Sequence, residues 1–267
     1  MKGDALGDRM KGFEAAECSR RFLPGLPVYA RIDGRNFSSF TRGMDRPYDS
    51  FMSAAMIDTT VGLIKHTHAR IGYTQSDEIS LVWLAETPEG GYFFDGKTAK
   101  MTSVLAGLAT ALFIRAVDQQ FGKSYTDKIP HFDCRVIQLP SKTEAANMFL
   151  WREMDATKNA ISMAARSVYS HAALDHKTGS EMQEMLFAKG INFNDYPAFF
   201  KRGTFVRRST VERIFTEEEL ARIPEKHRPL PDATCVRAHI TPLDMPRFSK
   251  VTNREAVIFE GAAHETG

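Results

Sequence analysis

Cysteine is scarce in this 267-residue chain: Cys18, Cys134 and Cys235 are an odd three, with no CxxC spacing. A structural zinc site wants about four closely spaced ligands, so the three read as reduced, buried thiols of a protein from a reducing compartment. The eight histidines add no metal pattern. His66 and His68 are two apart and His171 and His176 five apart, neither of which stacks two rings on one helical face, and all four read as solvated. No apolar run approaches the roughly 20 residues a membrane helix needs. The N-terminal MKGDALGDRMKGFEAAE mixes charge with glycine and lacks the apolar core of a secretion signal, so a cytoplasmic protein without a membrane partner is expected. Charge of one sign is lacking too: 35 Lys and Arg face 33 Asp and Glu, a net +2. No overall basic field announces a nucleic acid. Any partner has to be argued from local sites.

What is present is ordinary globular material, 43% hydrophobic and 25% charged, which excludes disordered and fibrous classes. Leu26–Ile32 is a short β-branched and aromatic run that ends at the turn signal Asp33-Gly34. Asp49 or Ser50 can cap a helix whose Met52, Met56 and Leu63 recur at helical spacing to about Arg70. Ile71–Thr74 and Ile79–Leu84 read as a hairpin around Gln75-Ser76-Asp77-Glu78. Thr98 opens a long helix with Met101, Leu105, Leu112 and Val117 on one face, as far as Phe121. His131–Leu139 is a further strand. The order strand, helix, hairpin, helix, strand predicts an α+β layer fold with helices mainly on one face of the sheet. A third long helix follows, from Ser141 or Thr143 to Tyr169, and a shorter one over Ser180–Lys189. A segment dotted with Pro224, Pro229, Pro231, Pro242 and Pro246 should be irregular, and Val257–Phe259 could be an edge strand. The change of composition near residue 140 divides a core, 1–140, from a helical and irregular extension, 141–267.

Asp33 ends the first strand and Asp77 sits at the hairpin tip. If these strands are neighbours, the two carboxylates meet at one sheet edge, and with a carbonyl from the Asp33-Gly34 turn they suit Mg²⁺. Glu78, one residue on, points elsewhere and reads as a fixing group. The plainer alternative is an Asp-Gly turn and a solvated hairpin tip.

The chain also resembles a known family in ordered blocks over residues 7–206. These are Gly7-Asp8-Arg9-Met10-Lys11 with Glu14, then Arg31-Ile32-Asp33-Gly34-Arg35-Asn36-Phe37 and Tyr73-Thr74-Gln75-Ser76-Asp77-Glu78. Phe132-Asp133-Cys134-Arg135, Trp151-Arg152-Glu153 with Asp155 and Asn159, and Phe199-Phe200-Lys201-Arg202-Gly203-Thr204 complete the series. They are similar to the tRNA-histidine guanylyltransferases, which add nucleotides to the 5′ end of tRNA in the 3′-to-5′ direction.

The resemblance implies a polymerase-palm-like, ferredoxin-like antiparallel core. It implies two Mg²⁺ ions on Asp33 and Asp77 with the Gly34 carbonyl assisting, and a need for Glu78. Nucleotide contacts would come from Gly34, Arg35, Asn36, Phe37, Arg46, Ser76 and Asp77, with Lys97 and Lys100 as further triphosphate candidates. ATP or GTP would activate the 5′-monophosphate, and the 3′-hydroxyl of an incoming nucleoside triphosphate would then displace the nucleoside monophosphate. The family is typically tetrameric, which makes a homotetramer the expectation.

Contacts to tRNA are expected from Arg135, Arg152 and Asn159, and from the basic stretch 201–213 with Lys201, Arg202, Arg207 and Arg208. That stretch could equally be a solvated strand whose charges offset Glu217-Glu218-Glu219. Trp151 reads as packing a helix. Eukaryotic members carry a His-Ile-Asn-Asn-Leu-Tyr-Asn-Thr stretch tied to guanylate addition on histidine tRNA. Here Thr157–Ala164 keeps only Asn159, which favours the guanylyltransferase-like members that repair truncated tRNA 5′ ends from a template. A strict histidine-tRNA guanylyltransferase, a nucleotide cyclase and a non-catalytic RNA-binding protein are the alternatives.

Overall fold

A computed structural model describes residues 4–86, 91–121, 128–230 and 232–267; Pro231 and the first three residues lie outside them. Chain order runs α1 (Ala5–Cys18), β1 (Val28–Arg35), α2 (Phe37–Phe40), α3 (Ser50–Thr67), β2 (Ile71–Gln75), β3 (Glu78–Trp83), α4 (Thr98–Phe121) and β4 (His131–Gln138). Beyond these come α5 (Lys142–Arg166), α6 (His171–Leu174), α7 (Gly179–Phe187), α8 (Ala198–Arg202), β5 (Thr204–Ile214), α9 (Glu217–Arg222) and β6 (Thr234–Pro242). The strands form one six-stranded sheet in the order β4-β1-β3-β2-β5-β6, every pair antiparallel. Its first four strands with α3 and α4 make the split βαβ unit of a ferredoxin-like palm.

Alternation along the strands sorts side chains to two faces. Val28, Ala30 and Ile32 of β1 join Ile79 and Leu81 of β3 against Met56, Leu63, Leu105 and Phe113 of α3 and α4. The opposite face carries Tyr29, Tyr73, Val82 and Phe205, which pack on Ala145, Ala146 and Phe149 of α5 and on Phe248 and Val257. Helices α3 and α4 thus cover one face, and the segment beyond residue 140 covers the other. Each fully buried aliphatic or aromatic side chain contributes about 1.5–3 kcal/mol to holding these layers together.

The α3 cap is Asp49, whose carboxylate accepts from the Met52 N–H at 2.9 Å. Several sequence expectations give way. The N-terminal segment is a 14-residue helix, α1, with no buried residue; Asp4 caps it by accepting from the Gly7 N–H. Cys18 on that helix is exposed, while Cys134 and Cys235 are buried. Strand β6 lies in the segment expected to be irregular, and with β5 it runs past β2 as a two-stranded ribbon. Residues 256–260, expected as an edge strand, form a π-helix with Val257, Ile258 and Phe259 buried. Thr98–Gln119 of α4 is, contrary to expectation, long and apolar enough by length and composition to cross a membrane. Met101, Leu105, Ala109 and Phe113 of that helix are fully buried in the core described above.

Candidate active site

The site grows out of one register. Asp33 lies directly opposite Glu78 on β3 and Asp133 on β4, so three carboxylates stand abreast at the same edge of the sheet. Asp77 joins them through the two-residue turn Ser76-Asp77, in which Ser76 takes a left-handed φ of 49°. The turn is tied to β1 by the Gly34 N–H, which donates to the Asp77 carbonyl at 2.9 Å. Gly34 cannot be another residue without rearrangement, since an added Cβ would stand 2.5 Å from the Phe37 ring. That ring is held among Phe40, Phe113 and Phe132. A core aromatic cluster therefore fixes where the Asp33 turn sits.

The three carboxylates nearest the turn are treated differently. Glu78 is buried and takes both arms of the Arg152 guanidinium, Nε to Oε1 and Nη2 to Oε2, each at 2.7 Å. Arg152 also donates to Asp155 at 3.0 Å. Burial pushes the Glu78 carboxyl upward and Arg152 opposes it; burial likewise works against the Arg152 charge, but Glu78 holds it above the ordinary value. Asp33 and Asp77 are different. Among the described residues neither has an ion-pair partner within 4.0 Å, and the Ser76 hydroxyl, donating to Asp77 at 3.0 Å, is the polar side-chain contact recorded for the pair. Burial raises both carboxyls; Asp133 raises Asp33 further against the opposing pull of Arg31 and Arg152, and Asp33 raises Asp77 against the Ser76 hydrogen bond. Two partly desolvated carboxylates at one turn, the charge of one disfavouring that of the other, would be relieved by a cation.

Among the described residues no group of three or more His, Cys, Asp or Glu could hold a metal ion, which argues against a closed transition-metal site. The donor set fits Mg²⁺, which needs one or two carboxylates and completes its shell with carbonyl, water and phosphate oxygens.

These acids open onto a polar cavity of about 460 Å³, lined by Arg31, Ser76, Arg152, Asn159, Ser162 and Arg166 among others. On the other side of the Ser76-Asp77 turn lies a second cavity of about 370 Å³, with Arg46, Tyr48 and Phe37 in its wall; it shares Ser76, Asp77 and Met163 with the first. Arg46, Ser76, Asp77 and Asn159 are thus brought together around one turn. Gly34, Arg35 and Asn36 stand outside both linings, and Phe37 is a core residue that shows only an edge.

Other candidates are placed elsewhere. Lys97 and Lys100 line a separate cleft of about 530 Å³ against α1 with Lys11 and Arg21. Lys97 bridges to Arg21, near the end of the sheet where Leu23 meets Gln138, so neither lysine joins Asp33. The direction of β3 accounts for this: it runs from Glu78, opposite Asp33, to Trp83, opposite Val28, and so delivers the chain to α4 at the end away from Asp33.

The basic stretch does not form a stripe. Strand alternation sends Arg207 and Arg208 to opposite faces. Arg207 donates to the carbonyls of Ala262 and Val257 at 2.7 and 3.3 Å, fastening the C-terminal segment. Arg208 is bonded to His68 and to the Lys65 carbonyl at the end of α3. Arg213 joins Arg237 on Glu219. Lys201 donates to the Asn194 carbonyl, and Arg202 reaches the Met245 carbonyl at 3.4 Å. Arg152, expected on RNA, is committed to Glu78. Arg135 is exposed, and among the described residues it pairs only with Asp133, at 3.8 Å.

Sequence reasoning missed Arg31, Ser162 and Arg166 as cavity walls. Arg31 had a signal, its position two residues before Asp33 on the same strand face. Ser162 and Arg166 had none beyond helical spacing from Asn159.

A palm sheet whose edge gathers unpaired carboxylates over a nucleotide-sized polar cavity belongs to the enzymes that move phosphoryl groups by positioning and charge. Residues 7–140 match the family model described as tRNAHis guanylyltransferase (Thg1). The chain belongs to that family, whose members are nucleotidyltransferases. It is 26% identical to the tRNA(His) guanylyltransferase of Schizosaccharomyces pombe over 216 residues, 74% of this chain and 80% of that one. Its fold is similar to a bacterial tRNA(His) guanylyltransferase (Thg1)-like protein solved in complex with ATP. The TM-score is 0.77 and the identity 30%, over 96% of this chain and 100% of the other. A bacterial Thg1-like protein in complex with GTP gives 0.71 and 29%, over 92% and 95%.

Proposed function

We propose that this protein is a Mg²⁺-dependent 3′-to-5′ nucleotidyltransferase that rebuilds truncated 5′ ends of tRNA from a template. One observation carries the reading: Asp33 and Asp77, without an ion-pair partner within 4.0 Å among the described residues, open onto a cavity walled by Arg31, Ser76, Asn159 and Arg166. Residues 1–140 act as the catalytic core, and 141–267 complete the RNA- and nucleotide-binding surface. Two supports favour repair over a fixed guanylate: Thr157–Ala164 keeps only Asn159 of the stretch tied to histidine tRNA, and the similar bacterial structures are Thg1-like proteins.

Mg²⁺, held by Asp33, Asp77 and the Gly34 carbonyl, would supply positive charge at the reacting phosphate and lower the cost of the attacking oxygen's charge. The residues of the chain do the positioning. Arg152 neutralises Glu78 and holds it off the reacting phosphates, which leaves Asp33 and Asp77, with Asp133 beside Asp33, as the negative charge of the edge. Ser76, held in a left-handed conformation, presents the hairpin turn to both cavities, and Arg46 and Arg166 face them from opposite walls to meet triphosphate oxygens. In the first step the RNA 5′-monophosphate displaces pyrophosphate from ATP or GTP; in the second the 3′-hydroxyl of an incoming nucleoside triphosphate displaces the nucleoside monophosphate. Both are in-line displacements for which alignment is the main requirement, and two cavities sharing one carboxylate turn suit two nucleotides used in sequence.

The test is incubation with a 5′-monophosphorylated tRNA lacking its first nucleotides, ATP, all four nucleoside triphosphates and Mg²⁺, followed by sequencing of the extended 5′ ends. Additions complementary to the 3′ half of the acceptor stem are expected. Addition of one guanylate whatever the opposing base refutes templated repair, and cyclic product from GTP alone refutes transfer to RNA.

A further inference from the structure

Beside the catalytic edge lies a surface that shares Arg31 with the first cavity and continues past it to Arg135 and Trp151, which line neither cavity. Arg31 and Arg135 stand directly opposite each other on β1 and β4, one row behind Asp33 and Asp133 and on the same face. Like charges in directly opposed positions destabilise a sheet, and little here offsets them. Arg31 comes within 4.0 Å of Glu78, which Arg152 already occupies, and Arg135 reaches only a half-exposed Asp133 at 3.8 Å.

Beside Arg31 sits Trp151 of α5, which does not pack a helix as its sequence context suggested: it is 50% exposed. The guanidinium carbons of Arg31 and Arg152 lie 5.9 and 4.5 Å from its ring centroid. Arg152 is fixed on Glu78, so the indole is held in place by the same ion pair that orders the catalytic edge. Two residues along a strand span about 6.6 Å, so Arg31 stands about one nucleotide's length behind Asp33 on the same strand face.

We propose that Trp151, Arg31 and Arg135 form the seat for the 5′-terminal nucleotide of the RNA: its base stacks on the exposed indole, and its phosphate lies between the two guanidiniums, facing Asp33. This inference rests on RNA being the substrate, as proposed above. The anion relieves the repulsion between the paired arginines, and the aromatic plane is what a terminal base without a stacking neighbour seeks. Stacking tolerates any base because every base offers a π face. The seat therefore accepts whatever nucleotide a truncated end presents, as repair requires and recognition of one fixed end does not.

The chain has two tryptophans, and the other, Trp83, is buried with its indole N–H donated to the Thr67 carbonyl at 2.9 Å. Emission changes caused by RNA therefore report Trp151. The experiment titrates the full chain, in EDTA, with a 5′-monophosphorylated tRNA lacking its first nucleotide. Saturable quenching is expected in the native protein and none in Trp151→Phe. Arg135→Gln, or removal of the 5′-phosphate, shifts the midpoint several-fold to weaker binding. In steady-state addition assays Trp151→Ala raises the KM for RNA between about fivefold and a hundredfold, as loss of one base stack predicts. It leaves kcat at saturating RNA close to native, and Trp151→Tyr restores the KM.

Native protein that extends RNA without any change in Trp151 emission overturns the seat and leaves the proposed activity intact. So does quenching by ATP or GTP alone, or emission that tracks protein concentration without RNA, which would mark a second copy on this surface. Quenching by RNA with no nucleotide addition under any condition supports the seat and refutes the activity.

Discussion

Replacing Arg152 with methionine tests the central electrostatic arrangement. Its guanidinium makes two 2.7 Å bonds to Glu78 and one of 3.0 Å to Asp155, and both members of the main pair are buried, at 6% and 5% exposure. Methionine keeps most of the side-chain volume but leaves the buried Glu78 carboxylate with no hydrogen-bonded counter-ion, only Arg31 at 4.0 Å. Removing one partner of a buried pair costs about 3–5 kcal/mol, because the remaining charge stays desolvated. At a urea m-value of about 2 kcal/mol/M this is a midpoint shift of about 2 M. Glu78→Gln combined with Arg152→Met removes both charges and should recover much of the loss, giving a coupling energy of about 2 kcal/mol or more. Urea unfolding of the four proteins of the cycle, followed by circular dichroism, measures it. A coupling near zero, or a loss below about 1 kcal/mol for Arg152→Met, would refute the claim that Arg152 serves Glu78. A smaller salt dependence of tRNA binding in Arg152→Met would return the residue to the RNA surface on which its sequence context placed it.

Gly34→Ala should destabilise by about 1–3 kcal/mol, the usual cost of overpacking, because the new methyl meets the Phe37 ring at 2.5 Å inside a fixed aromatic cluster; thermal unfolding reads it, and unchanged stability would mean that the cluster yields. Glu153 is buried and accepts the Phe248 N–H at 2.8 and 3.0 Å, and burial pushes its carboxyl up to about 7 from 4.5. The folded state therefore holds this proton more tightly than the unfolded chain, so its contribution is favourable below pH 4.5 and is lost as pH rises through about 7. Relative to native protein, Glu153→Gln should gain up to about 3 kcal/mol between pH 4 and 8, as denaturant midpoints across that range would show; a pH-independent difference contradicts this. Arg207→Met should loosen the C-terminal segment held at Ala262 and Val257, seen as faster cleavage there in limited proteolysis, with the salt dependence of tRNA affinity unchanged.

What the sequence made legible follows from local rules. The β1 strand, the capped α3 and the hairpin around Ser76-Asp77 are written in periodicity and turn chemistry, and the meeting of Asp33 with Asp77 followed from taking those strands as neighbours. Helix α1 was hidden because it buries nothing and so carries no apolar stripe to detect. The β5–β6 ribbon was hidden by prolines and by a half-exposed alternation. Charge roles were least legible. Arg152, Arg207 and Arg208 look like any RNA-facing arginines in one dimension, and only tertiary placement shows their guanidiniums turned to Glu78, Ala262 and His68. Trp151 failed in the opposite sense, because an aromatic on a long helix suggests packing while the turn of α5 leaves it in the open.

The account stands most directly on Asp33 and Asp77 as the pair that serves the first chemical step. Single-turnover formation of 5′-adenylylated RNA from α-labelled ATP and 5′-monophosphorylated tRNA, in Mg²⁺, measures that step alone. Asp33→Asn and Asp77→Asn should each slow it by at least about a hundredfold, a loss of about 2.7 kcal/mol in transition-state stabilisation. Their unfolding midpoints should be no lower than native, because each change removes a repelling charge. Either variant forming the adenylylated end within tenfold of the native rate would contradict the account.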